Sequence, residues 1–301
     1  MKVRVVALDS KLANLAILKI AQYHLKKGDN VDWYNPIFDI DCDLLYISKI
    51  FTFSESSFYA PPNAKVIYGG SGYDLKTVLP EEIESITDIK QAYLKLYPNI
   101  KYSVLFTTRG CPNKCGFCIV PTKEGMIRSV TPTTLNPNGK YIELLDNNFF
   151  NENNWRERLA YLKSLDQPIN FNTGIDIRTL TEEQARELKN LKIKYIHIAW
   201  DAVEDENKVR KGLDIILKYV KPHKKTCYVL VGYKQKHIVF EDIYRVQELY
   251  KYKITPFAMG YRDFDDKKYQ RHQTVIDFCR WTNRYMYKKF SFEEYKKTRK
   301  V

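Results

Sequence analysis

No run of eighteen or more apolar residues occurs in the 301-residue sequence, so nothing in it has the length and apolarity of a membrane-spanning helix. A signal-peptide apolar stretch is also missing: the N-terminus, MKVRVVALDSK, moves straight into an alternating strand pattern, and a cytoplasmic location is expected. Cysteine is sparse. Six cysteines are too few for a disulfide scaffold in a chain of this size, and three of them fall between positions 111 and 118, which suits a metal better than bridges. Reduced thiols are the expectation. There is no internal repeat and no low-complexity segment, which excludes solenoids and arrays. Acidic residues are the minority charge, 36 Asp plus Glu against 49 Lys plus Arg, and the net +13 suggests a polyanionic partner such as nucleic acid, although lysine-rich surfaces also serve solubility.

What is present is an alternating α/β pattern. Residues 3–8 read as a strand, Leu12–Leu25 as a helix with an apolar stripe, and Val31–Tyr34, Leu44–Phe51 and Lys65–Tyr68 as further strands before Gly69-Gly70. The stretch from Leu79 to Pro98 reads as a helical linker, which places a boundary near residue 98. Beyond it, strand-like runs recur at Val104–Phe106, Tyr141–Leu145, Ile169–Asn172, Tyr195–Trp200, Cys227–Val231 and Ile254–Met259, with helical patterns at Thr181–Leu191 and Glu241–Tyr252. After the first interval the spacing is about 30 residues, the length of a βα unit. The expected architecture is a partial parallel (β/α)6 barrel over residues 99–262. A small Rossmann-like α/β domain over 1–98 precedes it, and a basic helical tail over 263–301 follows. In such barrels chemistry collects at the C-terminal strand ends. Polar residues stand there: the Cys111 loop, Asp146-Asn147-Asn148, Asp176 and Arg178, Asp201, Gly232-Tyr233, and Arg262-Asp263.

The segment from Thr107 to Cys118 carries C-x3-C-x2-C spacing through Cys111, Cys115 and Cys118. Gly110, Pro112, Asn113 and Gly116 favour the tight turns that let a short loop wrap three corners of a cubane cluster. Three thiolates leave one iron open, and an open position separates catalytic from structural metal centres. A structural zinc site would need a fourth ligand from Cys42, Cys227, Cys279 or a histidine such as His197, none of which is near in sequence. The three lone cysteines read as small buried hydrophobes.

This loop resembles that of the radical S-adenosylmethionine (SAM) superfamily, in which it follows the first barrel strand. The whole chain is similar to a short branch of that superfamily, found in phage and bacterial genomes, in which a cobalamin-binding-like domain precedes the barrel. The resemblance implies a [4Fe-4S] cluster on Cys111, Cys115 and Cys118, with SAM bound through its amino and carboxylate groups and Phe117 near its adenine. It further implies an electron donor of the flavodoxin or ferredoxin kind, and reductive cleavage of SAM to a 5′-deoxyadenosyl radical that abstracts a substrate hydrogen. Cobalamin itself is not expected: histidine ligation needs an imidazole after the first strand, and Asp9–Asn14 contains none, while His24 lies at the far end of the next helix.

The remaining candidates for SAM contacts are Asp146 and Asn148 after the second barrel strand, and Asp176 and Arg178 after the third, each equally readable as a local turn or ion pair. From Lys267 to Val301 eleven Lys or Arg face three Asp or Glu among interleaved aromatics. That pattern suits phosphate contact and base stacking. It also suits an amphipathic helix packing Val275, Phe278, Cys279, Thr282, Tyr285 and Met286 on the barrel. The expected function is a radical SAM enzyme acting on a larger substrate, a nucleic-acid base or a peptide. The competing readings are a nucleic-acid-binding module with a structural metal loop and a ferredoxin-like electron carrier.

Overall fold

The computed structural model describes residues 1–55, 59–266 and 268–298. Its first sheet is built from β1 (Lys2–Ala7), β2 (Asn30–Trp33), β3 (Leu44–Ser48) and β4 (Lys65–Gly69), all parallel in the order β2-β1-β3-β4. Helix α1 (Leu15–Lys26) connects β1 to β2. It begins three residues after its apolar pattern does, because the Asn14 side chain caps it by accepting from Ile17 N at 3.2 Å. β3 stops short of Phe51 because the Asp9 carboxylate captures the amides of Ile50 and Phe51, each at 2.8 Å, and turns the chain. The segment read as a linker folds as α2 (Glu81–Glu84) and α3 (Lys90–Leu96). Ala92, Tyr93 and Leu96 of α3 pack with Val3, Val5, Ile17 and Leu18, and this cluster also takes in Val104 of the next sheet. Tyr97 and Tyr102 accept, through their hydroxyls, the amides of Asn14 and Ala13 at 3.2 and 3.1 Å. The two sheets are thus packed together at this seam.

The second sheet follows chain order. It comprises β5 (Ser103–Leu105), then, after a short ribbon of β6 (Thr108–Arg109) and β7 (Arg128–Ser129) around α4 (Val120–Lys123), β8 (Ile142–Leu144). It continues through α5 (Trp155–Ser164), β9 (Ile169–Ile175), α6 (Glu182–Leu188), β10 (Ile193–Ala199), α7 (Glu206–Leu217), β11 (Lys225–Val231), α8 (Phe240–Lys251) and β12 (Thr255–Gly260). All six strands are parallel in the order β5-β8-β9-β10-β11-β12. One cluster joins the apolar strand residues Ile142, Phe171, Ile196, Val229 and Ala258 to the buried faces of α5 through α9, so the helices share one face of the sheet. α6 is fixed by its capping box, in which Thr181 Oγ1 accepts from Gln184 N at 3.2 Å and Gln184 Oε1 from Thr181 N at 3.0 Å.

The tail forms α9 (Gln273–Asn283) and α10 (Phe292–Thr298). Val275, Phe278, Trp281 and Thr282 are buried, as are Phe292 and Tyr295, so the aromatics pack on the helical layer. Tyr285, expected in that packing, is instead 52% exposed, because it terminates the helix in the left-handed region at φ 59°. Lys267, Arg299 and Lys300, which contribute to the basic excess, lie outside the described residues.

Candidate functional site

β5 delivers the chain to the β6–β7 ribbon, which carries the cysteine segment at the C-terminal end of the large sheet. Gly110 has φ 86°, and a Cβ there would stand 2.4 Å from the Met126 carbonyl oxygen, so only glycine lets the two arms close. The closure is completed by Cys111 N donating to Gly125 O at 3.2 Å and Cys118 N to Cys115 O at 3.0 Å. Arg109 braces the ribbon through Glu124 at 2.7 Å and Glu84 at 3.3 Å. All three thiols are free and partly exposed, and those of Cys115 and Cys118 lie within electrostatic reach of each other and of Cys111. Burial raises the pKa of Cys115 and Cys118, so thiolate charge on this loop calls for a compensating positive charge.

The next strand end holds this loop in place. Asp146, after β8, is 2% exposed. Its carboxylate accepts from Thr107 N at 2.7 Å, Thr107 Oγ1 at 2.5 Å, Thr108 N at 3.0 Å and Thr108 Oγ1 at 2.9 Å. Burial pushes its pKa up to about 6 against the pull of those four donors, so the group is a carboxylate at neutral pH. Asn147 Oδ1 accepts from Gly110 N at 3.0 Å. Asn148 directs Nδ2 to Cys111 Sγ at 3.5 Å, while its Oδ1 accepts from Asn151 Nδ2 at 2.7 Å. Three consecutive residues therefore clamp Thr107-Thr108, Gly110 and Cys111 in register. The carboxylate of Asp146, read from the sequence as a ligand contact, is spent on the protein's own backbone and hydroxyls.

The third strand end approaches from the other side. Asp176 accepts from Arg178 Nε and Nη2 at 2.8 and 2.9 Å and from Asn113 Nδ2 of the cysteine loop at 2.8 Å. Burial works to raise the Asp176 carboxyl, and the Arg178 fork with the Asn113 amide outweighs it, holding the group below the usual carboxylate range. Arg178 also pairs with Asp205 at 3.0 Å and reaches the Cys115 thiol. Asp201, after β10, faces the same space: burial lifts its pKa to about 6, and its charge acts on Cys115 and Cys118 and on Arg178. Phe117 meets Tyr233, after β11, edge to face at 5.5 Å, and a Cβ on Gly116 would lie 2.6 Å from the Tyr233 hydroxyl. Arg262, after β12, goes elsewhere and lies over the Phe53 ring at 4.2 Å. Asn113, Asn147 and Asn151 give no signal in the sequence beyond turn propensity, since their roles depend on partners 28 or more positions away or on amide orientation.

Among the described residues no three His, Cys, Asp or Glu side chains converge on a single-ion site. Cys42 and Cys227 are buried in separate apolar clusters and Cys279 packs beside the second, so none supplies a fourth sulfur to the loop. The donor set is three thiols on one short loop with charged side chains beside it. That set fits a cluster, in which three irons each take one cysteine sulfur, so that these sulfurs stand farther apart than ligands on one ion, and the fourth corner stays open.

No protein-family model matches the sequence and no curated protein matches it. Among solved structures, the chain is similar in fold to the radical SAM methyltransferase TsrM from Kitasatospora setae, determined with cobalamin and a [4Fe-4S] cluster bound. The match has a TM-score of 0.57 at 11% identity and covers 86% of this chain and 74% of that one. The neighbour's cobalamin stands in mild conflict with the expectation that cobalamin, though possible, is not bound by this chain. In fold, the protein is similar to a radical SAM enzyme.

Proposed function

We propose that the protein is a radical SAM enzyme in which Cys111, Cys115 and Cys118 hold a [4Fe-4S] cluster and the large sheet forms a partial barrel around the reaction space. The observation that carries this reading is the three-thiol loop at the C-terminal end of the first strand of a sequential parallel sheet, pinned by the next strand end and flanked by charged groups from the third and fourth. When bound, the cluster and SAM would supply the one-electron cleavage and the radical. The protein's own contribution is placement. Asp146, Asn147 and Asn148 set the ligand loop. With Asp146 engaged, Asp201 is a carboxylate that would receive an ammonium, while Arg178, already held by Asp176 and Asp205, would exchange one of those partners to receive a carboxylate. Phe117, backed by Tyr233, offers an adenine-sized apolar wall.

The first sheet acts as a cover. Thr77 O accepts from Lys123 Nζ at 2.7 Å and Phe53 lies under Arg262, so loops of the small sheet touch both the cysteine segment and the last strand end. The likeness to TsrM extends over 86% of the chain, and Phe51, Phe53 and Tyr68 of that cover expose 44, 53 and 51% of their surface. These favour a second reading in which a corrin sits under the cover without a histidine on cobalt. Reconstitution with hydroxocobalamin and gel filtration decides it: a retained stoichiometric corrin spectrum establishes the second reading, and a clean separation removes it. The basic tail and a flavodoxin- or ferredoxin-like donor remain part of the proposal, with salt-dependent polyanion binding as the test of the tail. The primary reading is tested by iron, sulfide and 5′-deoxyadenosine analysis of the anaerobic protein.

A further inference from the structure

The face of the large sheet turned away from its helices is not built as a core. In closed parallel barrels the inward positions are filled mainly by Val, Ile and Leu. Here the register places Glu143 beside Asn170 and Asn170 beside Tyr195, with His197 beside Thr226 and Tyr228 beside Phe257. Tyr195 and Phe257 expose 37 and 42% of their surface. The face is therefore accessible and chemically specialised.

Its polar groups have a common sense. A carboxylate only accepts, so Glu143, itself 6% exposed, fixes both neighbouring amides by taking Asn170 Nδ2 at 2.9 Å on one oxygen and Asn172 Nδ2 on the other. Both amide carbonyls are thereby directed away from Glu143, and Asn170 Oδ1 is buried with no hydrogen-bond partner among the described residues. His197 Nδ1 meets the Phe171 carbonyl at 3.0 Å. A carbonyl cannot donate, so Nδ1 carries the proton and Nε2 presents a lone pair; burial lowers the ring's pKa and keeps it neutral. Tyr228 stacks on His197 at 5.1 Å, and Phe257 meets Tyr228 edge-on at 5.9 Å. The nearest cation, Lys194, has its ammonium over the Tyr141 ring at 3.3 Å. The face thus offers acceptors and aromatic walls, around a buried carboxylate.

We infer that this face anchors the substrate through a non-anionic group rich in N–H donors, an amino-substituted heterocycle or a guanidinium, and excludes phosphate. An N–H donor would satisfy Asn170 Oδ1 and His197 Nε2, whereas a phosphate would leave both lone pairs unpaired and bring its charge beside the Glu143 carboxylate, which the hydroxyls of Tyr195 and Thr226 do not offset. His197 lies four residues before Asp201 on β10, about 13 Å along the strand, so a substrate held here enters below the cysteine loop while its far end extends towards it. The inference rests on the radical SAM reading for the reaction, and on the sheet face alone for binding.

The test uses saturation-transfer NMR on the anaerobically purified full-length protein, with cytidine and agmatine as N–H probes. N4,N4-dimethylcytidine serves as the donor-free control and cytidine 5′-monophosphate as the anionic one. At least one N–H probe should bind, the dimethyl compound about tenfold more weakly, and the monophosphate no better than its nucleoside. Preference for cytidine points to a base and preference for agmatine to a guanidinium chain. Asn170→Leu should weaken binding about tenfold in a folded protein whose melting temperature falls modestly, because the substitution removes the unpaired buried oxygen and, with it, the Nδ2 hydrogen bond to Glu143. Saturating SAM should leave the probes bound. Failure of both probes, unchanged binding by N170L, a preference for the monophosphate, or displacement by SAM would each overturn the inference. A protein that binds the probes but never acquires iron keeps this site and removes the radical SAM reading instead.

Discussion

Replacing Asp146 by Ala separates two roles that the same residue might be given, a ligand contact or an anchor for the cysteine loop. The carboxylate is 2% exposed and accepts four hydrogen bonds between 2.5 and 3.0 Å, two from backbone amides and two from hydroxyls. Bonds to a charged acceptor are worth about 1.5–3 kcal/mol each, and four that share one carboxylate do not add. Asp146→Ala also leaves two buried backbone N–H groups without their acceptor. The expected loss is about 3–5 kcal/mol, or a fall of about 5–8 °C in Tm for a chain of 301 residues. Asp146→Asn, which keeps shape and one acceptor oxygen, should lose about half of that. Anaerobic thermal melts by circular dichroism, paired with iron per chain after reconstitution, read both consequences. The anchor predicts that stability and iron loading fall together, before SAM is added. A D146A protein that melts with the wild type, loads full iron and loses only SAM affinity would refute the anchor and return Asp146 to the ligand.

Gly110→Ala should lower iron loading with a smaller loss of stability, about 1–2 kcal/mol from the positive φ, because the added Cβ drives against the Met126 carbonyl; full iron occupancy in G110A would contradict this. Asn148→Leu removes the N–H···S contact to Cys111, and the reduced cluster should become harder to form by a factor of three to ten, a fall of about 30–60 mV in an EPR-monitored redox titration. An unchanged midpoint would show that the contact does not reach the cluster. At the opposite end of the sheet, burial lowers Lys225 to about 8 although its ammonium donates to the carbonyls of Val220 and Lys221. The unfolded chain then holds more protons than the folded one between about pH 8 and 10.4, so stability should rise with pH through that window, by at most about 3 kcal/mol. Lys225→Met should flatten this rise in denaturant titrations at pH 7.5 and 10, and a variant with the wild-type slope would assign the rise to other groups.

The cysteine spacing was legible because its chemistry is local: three thiols and their turn residues lie within one loop. Strand periodicity was legible for the same reason, since Val229 and Ile196 need only a buried face to declare themselves. What escaped was anything set by orientation across strands. Asp146 reads from sequence equally as an ammonium acceptor or as part of an Asx-rich turn, and its actual partners, Thr107 and Thr108, turn back to it from 39 and 38 positions away. Glu143, Asn170 and His197 look like ordinary strand polars until the register aligns them on one uncovered face. Boundaries moved where a side chain captured backbone, as Asn14 does at the start of α1 and Asp9 does beyond β3. The tail's cations suggested a polyanion, while Phe278, Trp281, Phe292 and Tyr295 among its aromatics are committed to packing and Tyr285 stays exposed.

The most direct measurement is made on protein purified without oxygen, reconstituted with iron and sulfide, and mixed with SAM and dithionite. Four irons and four sulfides per chain, a cubane EPR signal that changes when SAM is added, and release of 5′-deoxyadenosine are expected, each lost in Cys111→Ala, Cys115→Ala and Cys118→Ala. Stoichiometric zinc in place of iron, with SAM left intact by the wild type, would contradict the central claim.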